Sequence, residues 1–199
     1  MAAAAVAADV DAGLKEGDWL VVVSPLNLAD GRKLMWWPPQ PVAFNLLEAK
    51  RHRDRGVSQR PRIMGNLVAR GDGSLQPSNA HAALDCLSEL AAAVLFSFTA
   101  VESLANHAIE SLPEKTIVTF PKGREVPKAG LVTGLGIDEK LKRVVPLAEG
   151  GSTVAGTAAW ERYLELKFLR DELLHVKARG YDPDPDVRTA YDRLIVEVQ

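Results

Sequence analysis

The sequence predicts a mainly α-helical protein: a helical bundle over residues 78–199, with an inserted β-hairpin or loop, follows a small mixed α/β region over residues 1–77. The strongest observation is an apolar repeat of helical spacing that begins near residue 78. Two further segments with capping signals follow it, whereas short β-type runs bounded by proline and glycine lie mainly before it. Because 47% of the 199 residues are hydrophobic and 25% are charged, the composition is that of a globular protein, which excludes a disordered or fibrous chain.

The N-terminal region combines β-type runs, prolines and one helix. Residues 19–23 predict a strand. The proline-rich residues 36–41 predict an extended segment, because each proline restricts the backbone dihedral angles of its own residue and of the residue before it. A short helix is expected over residues 42–55 and a second strand over residues 62–70. We therefore assign residues 1–77 to one small mixed α/β domain.

A long helix opens the second domain. The pattern predicts that it begins at the N-cap Ser78 and ends before Pro113. Its apolar positions are spaced alternately by three and four residues, as in a continuous seam: Leu84, Leu87, Ala91, Val94, Phe98, Val101, Ala105, Ala108 and Leu112. A helix with such a seam requires neighbouring helices to cover it.

The remaining segments supply those neighbours. Residues 116–134 predict a β-hairpin or an ordered loop, and a short helix is expected from Asp138 to Pro146. A third helix is expected over residues 157–178, and a last helix after Asp184-Pro185. Residues 78–199 therefore form a bundle of two long and two short helices.

Charge and cysteine content exclude several classes of protein. The net charge is only −2, so the whole molecule does not attract nucleic acid strongly, although a local patch could. The single cysteine, Cys86, excludes an intramolecular disulfide and multi-cysteine zinc sites. The chain has four histidines, and none is spaced from another as metal ligands are: His52, His81, His107 and His175. We therefore predict no bound metal and no cofactor.

We expect a cytoplasmic protein that does not interact with a membrane. The N-terminus lacks the positive region of a signal peptide and contains Asp9 and Asp11. The strongest apolar run, residues 90–101, lies between Glu89 and Glu102 and is too short to span a bilayer.

A basic stretch in the N-terminal region is the first candidate site. Residues 48–70 contain seven basic and two acidic residues, and the densest part includes four cations: Lys50, Arg51, Arg53 and Arg55. This stretch is either a phosphate-binding surface for nucleic acid or a solvated helix face. No aromatic residue is interleaved with the cations to stack on bases.

The second candidate lies late in the third helix. Asp171 and His175 are four residues apart, so the carboxylate can orient the imidazole. Arg170 and His175 are five apart, which separates them by about 140° around a helix. Either Arg170 bends around the helix to meet His175 at one phosphate, or a second copy of the helix completes the site. The alternative is a polar network satisfied inside the bundle.

These residues, together with an upstream helix, resemble the HEPN superfamily. Its hallmark is an arginine followed by a polar residue and, after a short spacing, a histidine, which Arg170, Asp171 and His175 match. The stretch from Phe98 to Asn106, with Ala100 and Glu102 between them, is similar to a signature of the long early helix. The resemblance covers residues 78–199 and leaves residues 1–77 unexplained.

The resemblance implies a homodimeric helical bundle. Members include metal-independent endoribonucleases of toxin–antitoxin, abortive-infection and CRISPR-associated systems, as well as catalytically silent proteins. In an active member His175 would be the acid–base group, Arg170 would stabilise the phosphate, and Asp171 would orient the imidazole. Lys177 stands where toxins modified by a partner nucleotidyltransferase often carry tyrosine, and it could contact RNA phosphate instead.

Glu102 and Asn106 lie one turn apart on the long helix. They either support the Arg170–His175 site across the bundle or form an interhelical polar pair. The resemblance therefore implies a HEPN-type endoribonuclease with RNA as substrate, a role in a toxin–antitoxin or phage-defence system, and an antitoxin or another protein as partner. The alternative function is a non-catalytic bundle that binds a protein or a nucleotide.

Overall fold

A computed structural model describes residues 24–27, 29–36, 40–174 and 194. The predicted strand over residues 19–23 lies outside these ranges. So do the third helix beyond residue 174, which includes His175 and Lys177, and the predicted last helix except Leu194. Leu194 itself is helical and buried.

The chain divides into two compact units, at residues 39 and 40. In the first unit, strands β1 (Ser24–Asn27) and β2 (Lys33–Trp36) form an antiparallel hairpin with Ser24 opposite Trp36. The second unit contains every other element described below. This division differs from our predicted boundary between residues 77 and 78, because the helix that precedes residue 77 packs along the long helix that follows it.

Helix α1 (Pro41–Met64) is longer than predicted. The Gln40 side chain caps its first turn by accepting a hydrogen bond from the Ala43 N–H, 2.5 Å away. The helix continues through residues 56–64 and Pro61, where we expected its end and the start of a strand. Packing against α2 explains the difference, because the inward positions of α1 are buried along most of its length: Asn45, Ala49 and Gly56.

A second hairpin connects α1 to the long helix. Strands β3 (Leu67–Ala69) and β4 (Leu75–Pro77) are antiparallel, and Gly73 adopts a left-handed φ of +80° in the turn between them. The predicted strand over residues 62–70 is therefore correct only for its last part. The Ser78 N–H donates to the Asn66 carbonyl, 2.8 Å away, which closes the hairpin just before the next helix begins.

Helix α2 (Ala80–Ser111) confirms the predicted long helix. Its N-cap is Asn79 rather than Ser78, and Lys128 satisfies its C-terminal end by donating from Nζ to the carbonyls of Glu110 and Leu112. Much of the predicted seam is buried, but Leu84 at its start is exposed. A second buried row includes Cys86, Leu90 and Ala93, so two sides of α2 are covered.

The inserted segment is a hairpin followed by an unpredicted helix. Strands β5 (Ile117–Thr119) and β6 (Glu125–Pro127) pair antiparallel across a short 3-10 turn, which confirms the hairpin, and α3 (Lys128–Gly134) follows directly. With the end of α2 these elements enclose one core cluster: Ile109, Leu112, Val118, Phe120, Leu131, Leu135 and Val144.

Residues 137–149 are helical throughout but change their hydrogen-bonding pattern. Helix α4 (Ile137–Glu139) leads into a π-helical turn (Lys140–Val144) and then into α5 (Val145–Glu149). Our prediction that Pro146 ends this helix is wrong: Pro146 lies in the first turn of α5, and the helix ends at Gly150, which has a φ of +63°. Proline has no N–H to bond to the carbonyl of Lys142, and the Thr153 hydroxyl donates to that carbonyl instead, at 3.1 Å.

Helix α6 (Ala158–Leu174) packs against α2 and completes the described part of the bundle. Two further core clusters follow the length of α2. One contains Phe98, Ala105, Leu141, Trp160 and Tyr163, and the other contains Cys86, Leu90, Val94 and Leu194. The predicted mainly α-helical class is thus confirmed.

α2 also has the length and composition of a membrane-spanning helix. The mean hydropathy of its most apolar window is 1.6, whereas we had considered only the shorter run between Glu89 and Glu102. One third of that window is buried inside the molecule, and core helices of soluble proteins meet the same criterion. A single helix of this kind is weak evidence for a membrane location.

Candidate functional site

The candidate site lies on the inward face of α6. Thr157 begins this helix by accepting a hydrogen bond on Oγ1 from the Trp160 N–H, 3.2 Å away. Trp160 and Tyr163 are buried, and Lys167 and Arg170 continue the same face at spacings of four and three residues. This periodicity places two cations beside the hydrophobic contact between α6 and α2.

Two contacts hold the guanidinium of Arg170. Its Cζ lies 4.3 Å from the centroid of the Phe98 ring on α2, within range of a cation–π interaction. Its Nη1 donates to Oδ1 of the neighbouring Asp171 at 2.5 Å. The Arg170 side chain keeps 30% of its surface exposed, so it is fixed in place and still accessible to solvent.

A second polar cluster stands one turn earlier on α6. Asp138 accepts hydrogen bonds from the Tyr163 hydroxyl and, at 2.7 Å, from Lys167 Nζ. Partial burial would raise the pKa of Asp138, but these two hydrogen bonds outweigh it and hold the pKa below its ordinary value. Burial, followed by the hydrogen bond to Asp138, raises the pKa of Tyr163 far above its ordinary value, so the phenol stays protonated.

Asn106 is engaged by a residue that we did not predict. Its Oδ1 accepts a hydrogen bond from Lys140 Nζ at 2.9 Å, and the same ammonium donates to the Val132 carbonyl at 2.6 Å. Lys140 is only 3% exposed, although it begins the π-helical turn of a segment that contains several charged residues. The sequence signal was its position on the same helical face as Ile137, Leu141 and Val144.

Glu102 occupies a different environment from Asn106. It is exposed and lies one turn from Phe98 on α2. Within the part of the chain that the structure describes, it forms neither a hydrogen bond nor an ion pair. Among the described residues, Asn106 therefore forms an interhelical polar contact, with Lys140, and Glu102 takes no part in it.

The other predicted catalytic group is not among the described residues. His175 and Lys177 follow the last described residue of α6, so the distance from Arg170 to His175 is not defined. Asp171 was predicted to orient the imidazole. Its Oδ1 accepts a hydrogen bond from Arg170, and its relation to the imidazole lies outside the described residues.

The basic residues of the first candidate lie on α1, where their side chains are exposed and have acidic neighbours. Lys50 and Arg53 both contact Asp54, Arg51 contacts Glu48, and Arg55 lies 4.0 Å from Glu89. A contact between Asn45 and Ser103, 3.5 Å apart, identifies the side of α2 that α1 covers. Ser103 is five residues from Phe98, about 140° around α2, so the contact with Asn45 and the contact with Arg170 lie on different sides of this helix.

The described residues contain no group of three or more His, Cys, Asp or Glu side chains arranged to hold a metal ion. Arg170 does not line either of two cavities of about 310 Å³ each among the described residues. One is near the start of α2, and the other lies between α1, α2 and α6. Comparison of the chain with family models, curated proteins and solved structures found no match.

Proposed function

We propose that the protein is a metal-independent endoribonuclease of the HEPN type, in which Arg170 binds the scissile phosphate and His175 transfers protons. The observation that carries this proposal is the state of Arg170. Its guanidinium is positioned by Phe98 and Asp171, yet part of it remains accessible. A preorganised cation at the edge of a hydrophobic contact is suited to a phosphate whose negative charge increases in the transition state.

The chemistry requires no metal. The ribose 2′-oxygen attacks phosphorus, its proton passes to a base, and the 5′-oxygen leaves with a proton from an acid. His175 can serve in both roles near neutral pH, because an ordinary imidazole titrates there. Arg170 stabilises the pentacovalent phosphate with planar, bidentate hydrogen bonds, which lysine cannot reproduce.

A second copy of the chain completes this site. On a helix that continued to residue 175, Arg170 and His175 would be separated by about 140°, and two antiparallel copies of that helix would bring the arginine of one copy to the histidine of the other. The proposal therefore includes a homodimer in the cytoplasm. An antitoxin or another inhibitory protein would then regulate the enzyme.

The test is RNA cleavage by the purified full chain in the presence of a chelator. We expect Arg170→Ala and Arg170→Lys to lose most of the activity, and His175→Ala to lose about 10² to 10⁴-fold. Arg162→Ala is the matched control, because Arg162 lies on the same helix but is exposed. Cleavage by Arg170→Ala at the wild-type rate would overturn the assignment.

One observation favours the alternative of a non-catalytic bundle that binds a protein or nucleotide. Both cations on the inward face of α6 already have acidic partners, since Lys167 binds Asp138 and Arg170 binds Asp171. If this network is only structural, no RNA is cleaved and Arg170→Ala lowers the melting temperature, whereas Arg162→Ala does not. Measuring both quantities on the same variants separates the two functions.

A further inference from the structure

Helix α1 has a charge opposite in sign to that of the whole chain. It contains six Lys or Arg residues and two acidic residues, a net charge of +4, whereas the whole chain has a net charge of −2. A basic surface on an acidic protein attracts anionic partners locally and repels other copies of the same surface. The partner of α1 is therefore expected to be acidic.

An apolar groove runs along the same helix. It has a volume of about 310 Å³ and lies between α1, α2 and α6. Leu46 on its α1 side is 55% exposed, so the groove is open to solvent. Apart from Ser97 and the two cations on α1, the residues that line it are aliphatic: Leu46, Ala49, Leu90, Ala93, Val94, Leu166 and Leu194.

Two cations stand at the edge of this groove and share one acidic partner. Lys50 Nζ lies 3.0 Å from one oxygen of Asp54, and Arg53 Nη2 lies 2.7 Å from the other. Their side chains are 67% and 55% exposed, respectively. Two positive charges beside one carboxylate leave an excess positive charge next to an apolar surface.

We propose that this groove binds an acidic amphipathic helix of a partner protein. Aliphatic side chains on one face of that helix enter the groove, and carboxylates beside them bind Lys50 and Arg53. Single-stranded RNA fits less well, because bases stack on aromatic side chains and the described lining contains none. A bilayer surface does not match a concave floor. The proposal does not depend on ribonuclease activity.

The test uses a synthetic peptide and the full-length protein. The peptide has leucine at alternating spacings of three and four residues, and glutamate at the positions beside them. A scrambled peptide of identical composition is the control. Fluorescence anisotropy should detect binding of the amphipathic peptide, and the scrambled peptide should bind at least about tenfold more weakly. Equal binding of the two peptides overturns the proposal.

Matched variants locate the binding surface. Lys50→Glu/Arg53→Glu should weaken peptide binding at least about tenfold, whereas Arg51→Glu/Arg55→Glu, the same charge change at cations that do not line the groove, should have a smaller effect. Likewise Leu46→Gln should weaken binding, and Leu47→Gln, also exposed but outside the lining, should not. Equal effects of the two members of either comparison would show nonspecific attraction and contradict the groove.

The same variants exclude other occupants. Fluorescent oligouridylate and vesicles containing phosphatidylserine are measured in parallel with the peptide. If either binds in a manner sensitive to Lys50→Glu/Arg53→Glu while the peptide does not bind, the groove belongs to a nucleic-acid or membrane surface and the proposal is wrong. Peptide binding with the expected variant pattern establishes it.

Discussion

At the scale of single residues, the charged side chain of Lys140 is buried and needs hydrogen-bond partners inside the protein. Its ammonium donates to the Asn106 side chain and to the Val132 carbonyl, with no carboxylate bound to it among the described residues. Lys140→Met removes both hydrogen bonds and leaves their two acceptors unsatisfied, so we expect a loss of about 1–3 kcal/mol in the free energy of unfolding. Chemical denaturation measures this loss.

A double variant provides the control. Adding Asn106→Leu to Lys140→Met replaces both side-chain partners by apolar groups of similar size, which should recover part of the stability. Lys115→Met, an exposed lysine between α2 and the hairpin, should change stability little. If Lys140→Met is as stable as Lys115→Met, the hydrogen bonds of the Lys140 ammonium do not stabilise the fold.

Asp138 predicts a dependence of stability on pH. Because its pKa in the folded protein lies below the ordinary value of 3.8, the ionised carboxylate stabilises the fold at pH 7. That contribution is lost as the pH falls from about 5 through the lowered pKa. Asp138→Asn should therefore be less stable than wild type at pH 7 by about 0.5–1 kcal/mol, given the partial exposure of the carboxylate.

Unfolding curves at several pH values test this expectation. The difference between wild type and Asp138→Asn should shrink below about pH 4, where the wild-type carboxylate becomes protonated as well. Asp85→Asn, an exposed carboxylate on α2, should show no comparable difference. A constant difference between wild type and Asp138→Asn over the whole pH range would contradict the role of the charge.

At the scale of elements, Gly56 lies where α1 approaches α2 closely. A Cβ at this position would lie 2.7 Å from the buried Leu90 side chain. Alanine normally stabilises a helix by about 0.8–1 kcal/mol over glycine, but here the crowding should outweigh that gain and destabilise the fold by about 1–3 kcal/mol. Gly134→Ala, in α3 with open space around it, should not destabilise.

The thermal midpoints of the two variants decide this prediction. Gly56→Ala should unfold at a lower temperature than wild type, and Gly134→Ala at the same temperature or higher. A Gly56→Ala protein as stable as Gly134→Ala would mean that the helices can separate without cost.

The elements also show where sequence patterns succeed and fail. α2 was predictable because its own apolar spacing defines it, and hairpin β5–β6 because its turn residues are distinctive. α1 continues beyond the expected end because contacts with α2 outweigh the local signals at Gly56 and Pro61. The prediction that the helix ends at Pro146 was wrong because a π-helical turn and the Thr153 hydroxyl compensate for the missing N–H of the proline. Neither feature is visible in the local sequence pattern.

The candidate site shows the same limit. The sequence identified Arg170, Asp171 and the Phe98 stretch, because their types and spacing form a recognisable pattern. It did not identify Lys140, Lys167 or Asp138, whose partners are distant in the chain and meet only after the helices pack. Long-range pairing of polar groups depends on the fold and is not encoded by local spacing.

At the scale of the whole molecule, the proposed shared site requires two copies of the chain. If the helix continues to His175, about 140° around its axis from Arg170, two arrangements can unite the two groups: either Arg170 bends around its own helix, or each site takes its arginine from one copy and its histidine from the other. Sedimentation over the micromolar range should detect a dimer whose population rises with concentration. A monomer at every concentration would exclude the shared site.

Complementation distinguishes the two arrangements. Arg170→Ala and His175→Ala should each lose most of the activity alone, and co-refolding them in equal amounts makes half of the dimers mixed. If the site is shared, each mixed dimer contains one intact site, and the mixture should recover about a quarter of the wild-type activity. If both groups act within one chain, no dimer contains an intact site, and the mixture remains inactive. Equal parts of wild type and the double variant provide a second mixture, for which the two arrangements predict different activities. Activity in the first mixture therefore requires the shared site, and its absence, with a dimer seen by sedimentation, assigns the site to a single chain.

 The mixture of wild type with the double variant gives the second, independent measurement. When both groups act within one chain, every wild-type chain stays active whatever its partner, and the mixture keeps about half of the wild-type activity. When the site is shared, a mixed dimer has no intact site, and only dimers of two wild-type chains contribute, about a quarter of the total. A shared site therefore predicts about a quarter in both mixtures, whereas a site within one chain predicts no activity in the first mixture and about half in the second.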